Sequence, residues 1–252
     1  MLYEEREARI MQQLQLHSTV KTGSLSQQLH VSVDTVRRDL KSMEQKGLIK
    51  YIHGGACLPD SISPFLNFAG REIIHEDLKR AAAAKAVSMI RENAVIAMNA
   101  GTPNMILAQE MLRIDRGFTV ISNNMAAINI LMQSSRIRII AIGGEIDSQE
   151  RASFGSVCEQ EFASYFPDIA FLAINAVSCE DGFTDFRFHE TGIMHLLAHS
   201  AGKVYAVMDS SKLGRRSRKK VLSREEVDAV IMDDGIPEDV RRQYEEQGIH
   251  IL

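Results

Sequence analysis

Over roughly the first fifty residues the apolar positions recur at helical spacing, and the polar ones sort onto the opposite faces. Ile10 and Leu14 stand four apart with Met11 beside them, which predicts a helix over Glu4 to Leu16. Leu25 and Leu29 repeat that spacing in a second, shorter helix with Thr22 expected as its cap. His30 and Val31 make a turn, and Ser32 is expected to cap a third helix by accepting hydrogen bonds from its free N–H groups. Projected at about 100° per residue, Val33, Val36, Leu40 and Met43 form one stripe of that helix. Asp34, Arg38, Lys41 and Gln45 fall on the opposite face, with Thr35 and Ser42 on its flank. Asp39 projects toward the neighbouring helices and is expected to anchor them. Gly47 accepts the left-handed backbone that ends a helix. Leu48 to His53 then alternate into a short strand that stops at Gly54-Gly55.

Beyond that point the pattern changes. Leu58 to Pro64 carries two prolines and no period, so residues 58–75 read as a linker between a first domain, 1–57, and a second, 76–252. An alanine-rich stretch over 76–91 predicts a helix. Near-continuous apolar runs follow at 95–98, 118–121, 137–142, 169–174, 204–208 and 229–232, with helical stretches between them. Such runs predict an α/β domain whose mostly parallel sheet is covered on both faces. Small or polar residues follow the runs: Gly101-Thr102, Ser122-Asn123-Asn124, Gly143-Gly144 and Asp209-Ser210-Ser211-Lys212. Open α/β sheets bind ligands at that edge, where helix N-termini present N–H groups to anions. Hydroxyls and amides donate there, and Lys212 adds a point charge, so a phosphorylated sugar or polyol fits such a rim.

Composition narrows the class. The 252 residues are 45% apolar and 25% charged, as in ordinary folded proteins. No apolar run approaches the roughly 18 residues of a membrane span. The charged start MLYEEREARI lacks the apolar centre of a signal peptide. Cys57, Cys158 and Cys179 are scattered without a CxxC pair, which fits a reducing compartment; the expected location is the cytoplasm, with no membrane partner. The net charge of −4 hides an asymmetry: residues 1–58 hold eight basic and six acidic side chains, a balance of +2 that leaves −6 for the rest. A cationic head on an anionic body suits a reader of double-stranded DNA joined to a sensor.

The third helix, buried on one side and lined by a guanidinium and an ammonium on the other, suits a major groove. With the hairpin after it, the module reads as a winged helix-turn-helix. Arg38 and Thr35 are the base-reading candidates and Arg37 a phosphate contact. Thr22, Ser32, Asp34, Lys41 and the hairpin residues Lys50, Tyr51 and His53 complete the candidate DNA-contacting set. One such helix reads only a few base pairs, so specificity requires a homo-oligomer, dimer or tetramer, assembled through residues beyond about 70.

The segment VSVDTVRRDL, Gly47, and a wing ending in His53-Gly54-Gly55-Ala56 together resemble the DeoR family of bacterial transcriptional repressors over residues 6–57. The resemblance implies operator DNA as the partner of this module. It implies a C-terminal domain that binds a small metabolite, commonly a phosphorylated sugar, in a fold similar to ribose-5-phosphate isomerase and glucosamine-6-phosphate deaminase. Similar proteins carry glycine and threonine in the first loop, asparagine after the second strand, a double glycine after the third, and D-x-S-K late. Gly101, Thr102, Asn123, Gly143, Gly144, Asp209, Ser211 and Lys212 keep that pattern. Asn99 stands where an aspartate is usual, and Pro103 and Asn104 where threonines are common. An acidic residue at the place of Glu190 recurs in similar proteins, which implies contact with the effector. The candidate effector set is therefore Asn99, Gly101, Thr102, Ser122, Asn123, Asn124, Gly143, Gly144, Glu190 and Lys212. The expected function is repression of a carbohydrate operon, relieved by a phosphorylated sugar or polyol.

The competing class is a sugar-phosphate isomerase or deaminase with a DNA-binding appendage. Asn99 in place of a carboxylate, and no evident carboxylate-histidine base, argue against it. No GxGxxG, GxxxxGK[ST] or G-x-S-x-G occurs, so no nucleotide cofactor and no hydrolase nucleophile is indicated. His195 and His199 have metal-ligand spacing, with His189 before them. No glutamate follows His195 as in H-E-x-x-H, and a structural or solvent-facing role is favoured; no metal is expected. The run Arg215 to Lys220 reads as a solvated loop, with a lid over an anion or a second DNA contact as alternatives.

Overall fold

The computed structural model describes residues 2–17, 19–52, 54–58 and 68–252. It divides into two units, Met1–Glu76 and Asp77–Leu252, each with its own core. The first contains α1 (Tyr3–His17), β1 (Thr19–Lys21), α2 (Thr22–Leu29), α3 (Val33–Gln45), β2 (Lys50–Ile52), β3 (Gly55–Cys57) and α4 (Phe68–Ile73). Ile10 and Leu14 of α1, Leu25 and Leu29 of α2, and Val36, Leu40 and Met43 of α3 meet in its core, as their spacing requires. His30 takes the left-handed conformation between α2 and α3, and the Ser32 side chain caps α3 by accepting from the Thr35 N–H at 3.2 Å. Gly47 closes α3 with φ of 73°. The Asp39 carboxylate takes both the Nε and Nη2 of Arg6, at 2.6 and 2.8 Å, and so pins α1 to α3.

Three expectations change in this unit. Thr22 does not cap α2: Lys21 occupies the cap position, and Thr22 is the first helical residue, buried, its N–H donating to the Gly54 carbonyl at 2.9 Å. The cause is β1, a strand of three residues between two helices and too short to show a period. It pairs antiparallel with β3 in a sheet ordered β1-β3-β2 and draws Thr22 inward. Any side chain at Gly55 would run into the Val20 carbonyl of β1, so that contact needs a glycine. Val33 is 37% exposed, because the first residue of a helix points its side chain back beyond the elements that cover the later turns. Finally, α4 lies inside the stretch read as linker. Its Phe68 and Ile73 are buried and it packs on β1, so the first unit runs past residue 57. His53 and residues 59–67 of the linker lie outside the described residues.

The second unit contains α5 (Glu76–Ser88), β4 (Val95–Met98), α6 (Thr102–Met111), β5 (Phe118–Ser122), α7 (Met125–Leu131), β6 (Ile137–Ala141), β7 (Glu145–Asp147), β8 (Ala152–Phe154) and α8 (Ser156–Phe162). Then come β9 (Ile169–Ala173), β10 (Ala176–Ser178), β11 (Gly182–Asp185), α9 (Thr191–Ser200), β12 (Lys203–Val207), β13 (Lys219–Leu222), β14 (Ala229–Ile231) and α10 (Glu238–Glu246). Each predicted apolar run is a strand of one parallel sheet ordered β14-β12-β9-β4-β5-β6. Successive residues of β4 and β9 are buried, as a sheet covered on both faces demands. The chain starts at the centre with β4, walks out through β5 and β6, then returns to β9 on the other side. The order therefore reverses between β4 and β9, and crevices at such reversals hold ligands. Two small antiparallel additions have no counterpart in the apolar runs: the hairpin β7–β8 and the sheet β10-β11-β13. Among the described residues no helix is long and apolar enough to cross a membrane.

Candidate functional site

The outward face of α3 is the first candidate. Asp34, Arg37, Arg38 and Lys41 are exposed while Val36, Leu40 and Met43 face the core. The two arginines lean on their own helix: Arg37 Nη1 donates to Asp34 Oδ1 at 3.0 Å, and Arg38 reaches the Asp34 carbonyl and Thr35 Oγ1, both at 3.4 Å. Exposed bonds of this kind contribute little and exchange readily for bases and phosphates. Ser32 Oγ stands 2.9 Å from Thr35 Oγ1, which places both hydroxyls at the leading end of the helix. The Tyr51 N–H donates to Glu44 Oε1 at 2.8 Å and fastens β2 to the end of α3, leaving Lys50 exposed. Thr22 turns inward, and its Oγ1 has no partner among the described residues.

The second candidate is built where the sheet reverses. The Asn99 Oδ1 accepts the Ala173 N–H at 2.8 Å and its Nδ2 donates to the Ala173 carbonyl at 3.2 Å, which ties the ends of β4 and β9 together. Asn104, on the first turn of α6, donates to the carbonyls of Asn99 and Phe171 at 3.0 and 2.9 Å. Glu190 ends a 3-10 turn, Phe188–Glu190, and is wholly buried beneath these loops. It accepts from Asn123 Nδ2 at 2.8 Å, the Ala100 N–H at 3.2 Å and Asn99 Nδ2 at 3.3 Å. These are all N–H donors, a set that suits the ionised carboxylate. Burial pushes the Glu190 carboxyl above the usual range, and Arg187 and the Asn123 amide pull it back.

Arg187 holds the same junction. It takes Asp185 through Nε at 3.0 Å and Nη2 at 2.7 Å, and donates to the carbonyls of Ala100 and Ala173 at 2.6 and 2.8 Å. Burial opposes its charge, but Asp185 outweighs that and holds the guanidinium above its ordinary range. Gly101, with φ of 141°, leaves room for it: a Cβ there would lie 2.7 Å from the Ala173 Cβ and 3.1 Å from Arg187 Nη1. Arg187 and Asn104 are absent from the sequence-derived set. The available signal was a pair of opposite charges, Asp185 and Arg187, set in the otherwise uncharged stretch Gly182–Phe188.

The geometry sorts the other candidates. Ser122 donates to the Met98 carbonyl at 2.7 Å, and Asn124 joins the Ala127 N–H to the Gly101 carbonyl at 3.1 and 2.9 Å, so both brace the loops. Thr102 is buried at the start of α6, next to Gly101. Gly143 and Gly144 follow the edge strand β6. Gly144 (φ of 132°) turns the chain into β7, and a Cβ there would meet the Phe154 carbonyl at 2.5 Å. Lys212 ends the turn Ser210–Lys212 after β12, on the other flank of the reversal. Thus Asn99, Gly101, Asn123, Asn124 and Glu190 come together, with Gly143, Gly144 and Lys212 to either side.

Several buried polar atoms in this region have no partner among the described residues: Asn123 Oδ1, Asn104 Oδ1, Asp209 Oδ2, Thr191 Oγ1 and His189 Nε2. Buried polar atoms are nearly always bonded, so these mark hydrogen-bonding capacity left unused at the site. The N-terminus of α6 opens at Gly101 without a side-chain cap, which suits an anion. A large open groove at the opposite sheet edge, about 1300 Å³ with Arg116, Phe166, Asp168 and Tyr205 on its walls, holds none of these residues.

A family model described as the DeoR C terminal sensor domain matches residues 74–234, and one described as the DeoR-like helix-turn-helix domain matches residues 6–62. The HTH-type transcriptional regulator GlpR of Haloferax volcanii is 31% identical over 252 residues, 100% of this chain and 98% of that one. GolR of Listeria innocua, another such regulator, is 29% identical over 98% of this chain and 97% of its own. The glycerol-3-phosphate regulon repressor of Escherichia coli is 27% identical, again over 98% and 97%. Among solved structures, ribose 5-phosphate isomerase A of Methanocaldococcus jannaschii aligns with a TM-score of 0.40 and 19% identity over 55% of this chain and 54% of that one. With a helix-turn-helix unit ahead of a sensor domain, the chain belongs to the DeoR family of DNA-binding transcriptional regulators and is not an enzyme.

Proposed function

We propose that this protein is a cytoplasmic repressor of a carbohydrate operon, and that a phosphorylated sugar or polyol binding at the β4–β9 crevice releases it from its operator. The observation that carries the reading is the buried network around Glu190, whose unspent polar atoms stand beside the open N-terminus of α6. Hydroxyls of the ligand meet Asn123 and Glu190, while its phosphate takes the α6 N–H groups and the charge of Lys212. On the DNA, Arg38 and Thr35 read bases, and Arg37, Lys41 and Lys50 hold phosphates. A single α3 spans too few base pairs for useful specificity, so two copies act together on a repeated or palindromic site. Release then requires that the ligand bind one arrangement of the two copies better than the other.

Thermal-shift measurements against phosphorylated sugars and polyols, each paired with its unphosphorylated counterpart, test the ligand class. A ligand that binds only the folded state adds about 2.7 kcal/mol at a hundred times its Kd, so the expected result is a raised Tm for one phosphorylated compound alone. Equal shifts with the unphosphorylated partner would remove the phosphate from the proposal.

A further inference from the structure

Three exposed apolar side chains lie on adjoining elements beside the crevice: Ile146 of β7, Val157 on the first turn of α8, and Phe188, at 59%, 61% and 57% exposure. Those elements touch one another. A Cβ on Gly144 would lie 3.0 Å from the Cys158 Cβ, the Phe154 ring stands 5.1 Å from that of His189, and Gly192 lies against Glu159. Glu145 of β7 and Glu159 and Glu161 of α8 add three carboxylates that form no ion pair among the described residues. On the β9 side, residues 215–220 hold five cations, every one exposed. Their place is fixed: the Ser217 N–H donates to Thr184 Oγ1 at 2.8 Å, and Lys219 and Lys220 of β13 pair with Asp185 and Thr184 of β11. Arg216 Nε reaches Asp181 at 3.5 Å, but Arg215, Lys219 and Lys220 form no ion pair among the described residues. We propose that the apolar, acidic wall receives the basic segment of a second copy of this chain, and that the second copy's wall receives this one.

Charge complementarity within one chain is what selects this partner. A two-fold pair makes each contact twice, so an acidic surface and a basic surface on the same molecule satisfy each other in both copies. The apolar side chains supply the dry centre that subunit interfaces have, and the charges supply the rim. A DNA backbone would satisfy the cations and leave the apolar wall uncovered; solvent covers the charges and also leaves that wall bare. The inference rests on the reading that two copies act together and adds which surfaces meet. It also places the contact where an effector can disturb it. The turn Phe188–Glu190 carries Phe188 on the wall and Glu190 beneath the crevice, so the second copy and a bound ligand bear on one element.

The test is the mass of the full-length protein in solution, measured by sedimentation for the wild type and two charge-reversed variants. One variant carries Arg215→Glu, Lys219→Glu and Lys220→Glu; the other carries Glu145→Lys and Glu159→Lys. Each alone sets like charges face to face, and its self-association is expected to weaken by roughly a hundredfold or more. An equimolar mixture of the two is expected to associate again, because each reversed surface then meets its opposite at both contacts. Val157→Asp, at an exposed position, is expected to weaken association by itself, and circular dichroism checks that every variant is folded. Variants that associate as tightly as the wild type, or a mixture that does not recover, overturn this proposal alone. A wild-type chain that stays monomeric overturns the two-copy reading with it. Loss of DNA affinity in the first variant with association intact assigns the cations to the phosphate backbone and overturns the pairing.

Discussion

Replacing Arg187 with methionine is expected to cost about 3–5 kcal/mol of stability, the range for removing one partner of a buried ion pair. Asp185 is 1% exposed and would be left buried with no cation against it, while the Ala100 carbonyl would lose the Arg187 donor and the Ala173 carbonyl one of its two donors. The three losses coincide at the reversal between β4 and β9, so the crevice should lose its shape along with its stability. A denaturant titration reads the effect as a lowered midpoint. Pairing the substitution with Asp185→Leu should recover part of the loss, because burying neither charge is cheaper than burying one. A single variant that loses under about 1 kcal/mol, within the reach of an ordinary exposed pair, would show that the guanidinium does not hold the junction.

Arg38→Ala is expected to weaken operator binding by about 1–3 kcal/mol at each half-site, roughly 5- to 150-fold, and to relax preference at one base position. Arg37→Ala should act differently: a uniform loss across sequences and a salt dependence shallower by about one unit of slope. The contrast follows from position, since both arginines are exposed on α3 but only Arg38 reaches Thr35, while Arg37 turns to Asp34. Fluorescence anisotropy on operator and scrambled duplexes separates the two patterns. If the arginines exchanged roles, with Arg37→Ala erasing base preference, α3 would lie in the groove turned about its axis, with Arg37 rather than Arg38 toward the bases.

Much of this architecture was legible because it repeats. Six apolar runs became six parallel strands, and the stripe of Val36, Leu40 and Met43 placed α3 correctly, including the inward turn of Asp39 onto Arg6. Short elements were not. A strand of three residues such as β1 carries no period, and the prolines that mark a linker say nothing of the helix that follows at Phe68. In the crevice, the placement of these residues at strand ends was legible, but the bonds that each of them makes were not. Ser122 and Asn124 look like Asn123 in the sequence, yet they are consumed by the backbone, while Asn123 keeps its oxygen unspent. Asn104 reads as an ordinary helix residue until its amide is seen bridging β4 to β9. Partners so distant along the chain leave no local trace.

The most direct measurement is operator affinity of the full-length protein, followed by anisotropy on its own upstream DNA while phosphorylated sugars and polyols are added. One of these compounds is expected to weaken binding of the wild-type protein, and its unphosphorylated counterpart to leave binding unchanged. Lys212→Ala is expected to bind the operator normally but resist release. An operator complex that holds equally well with every such compound, or that either form of a compound releases alike, would contradict a phosphate-sensing crevice that controls the DNA-binding unit.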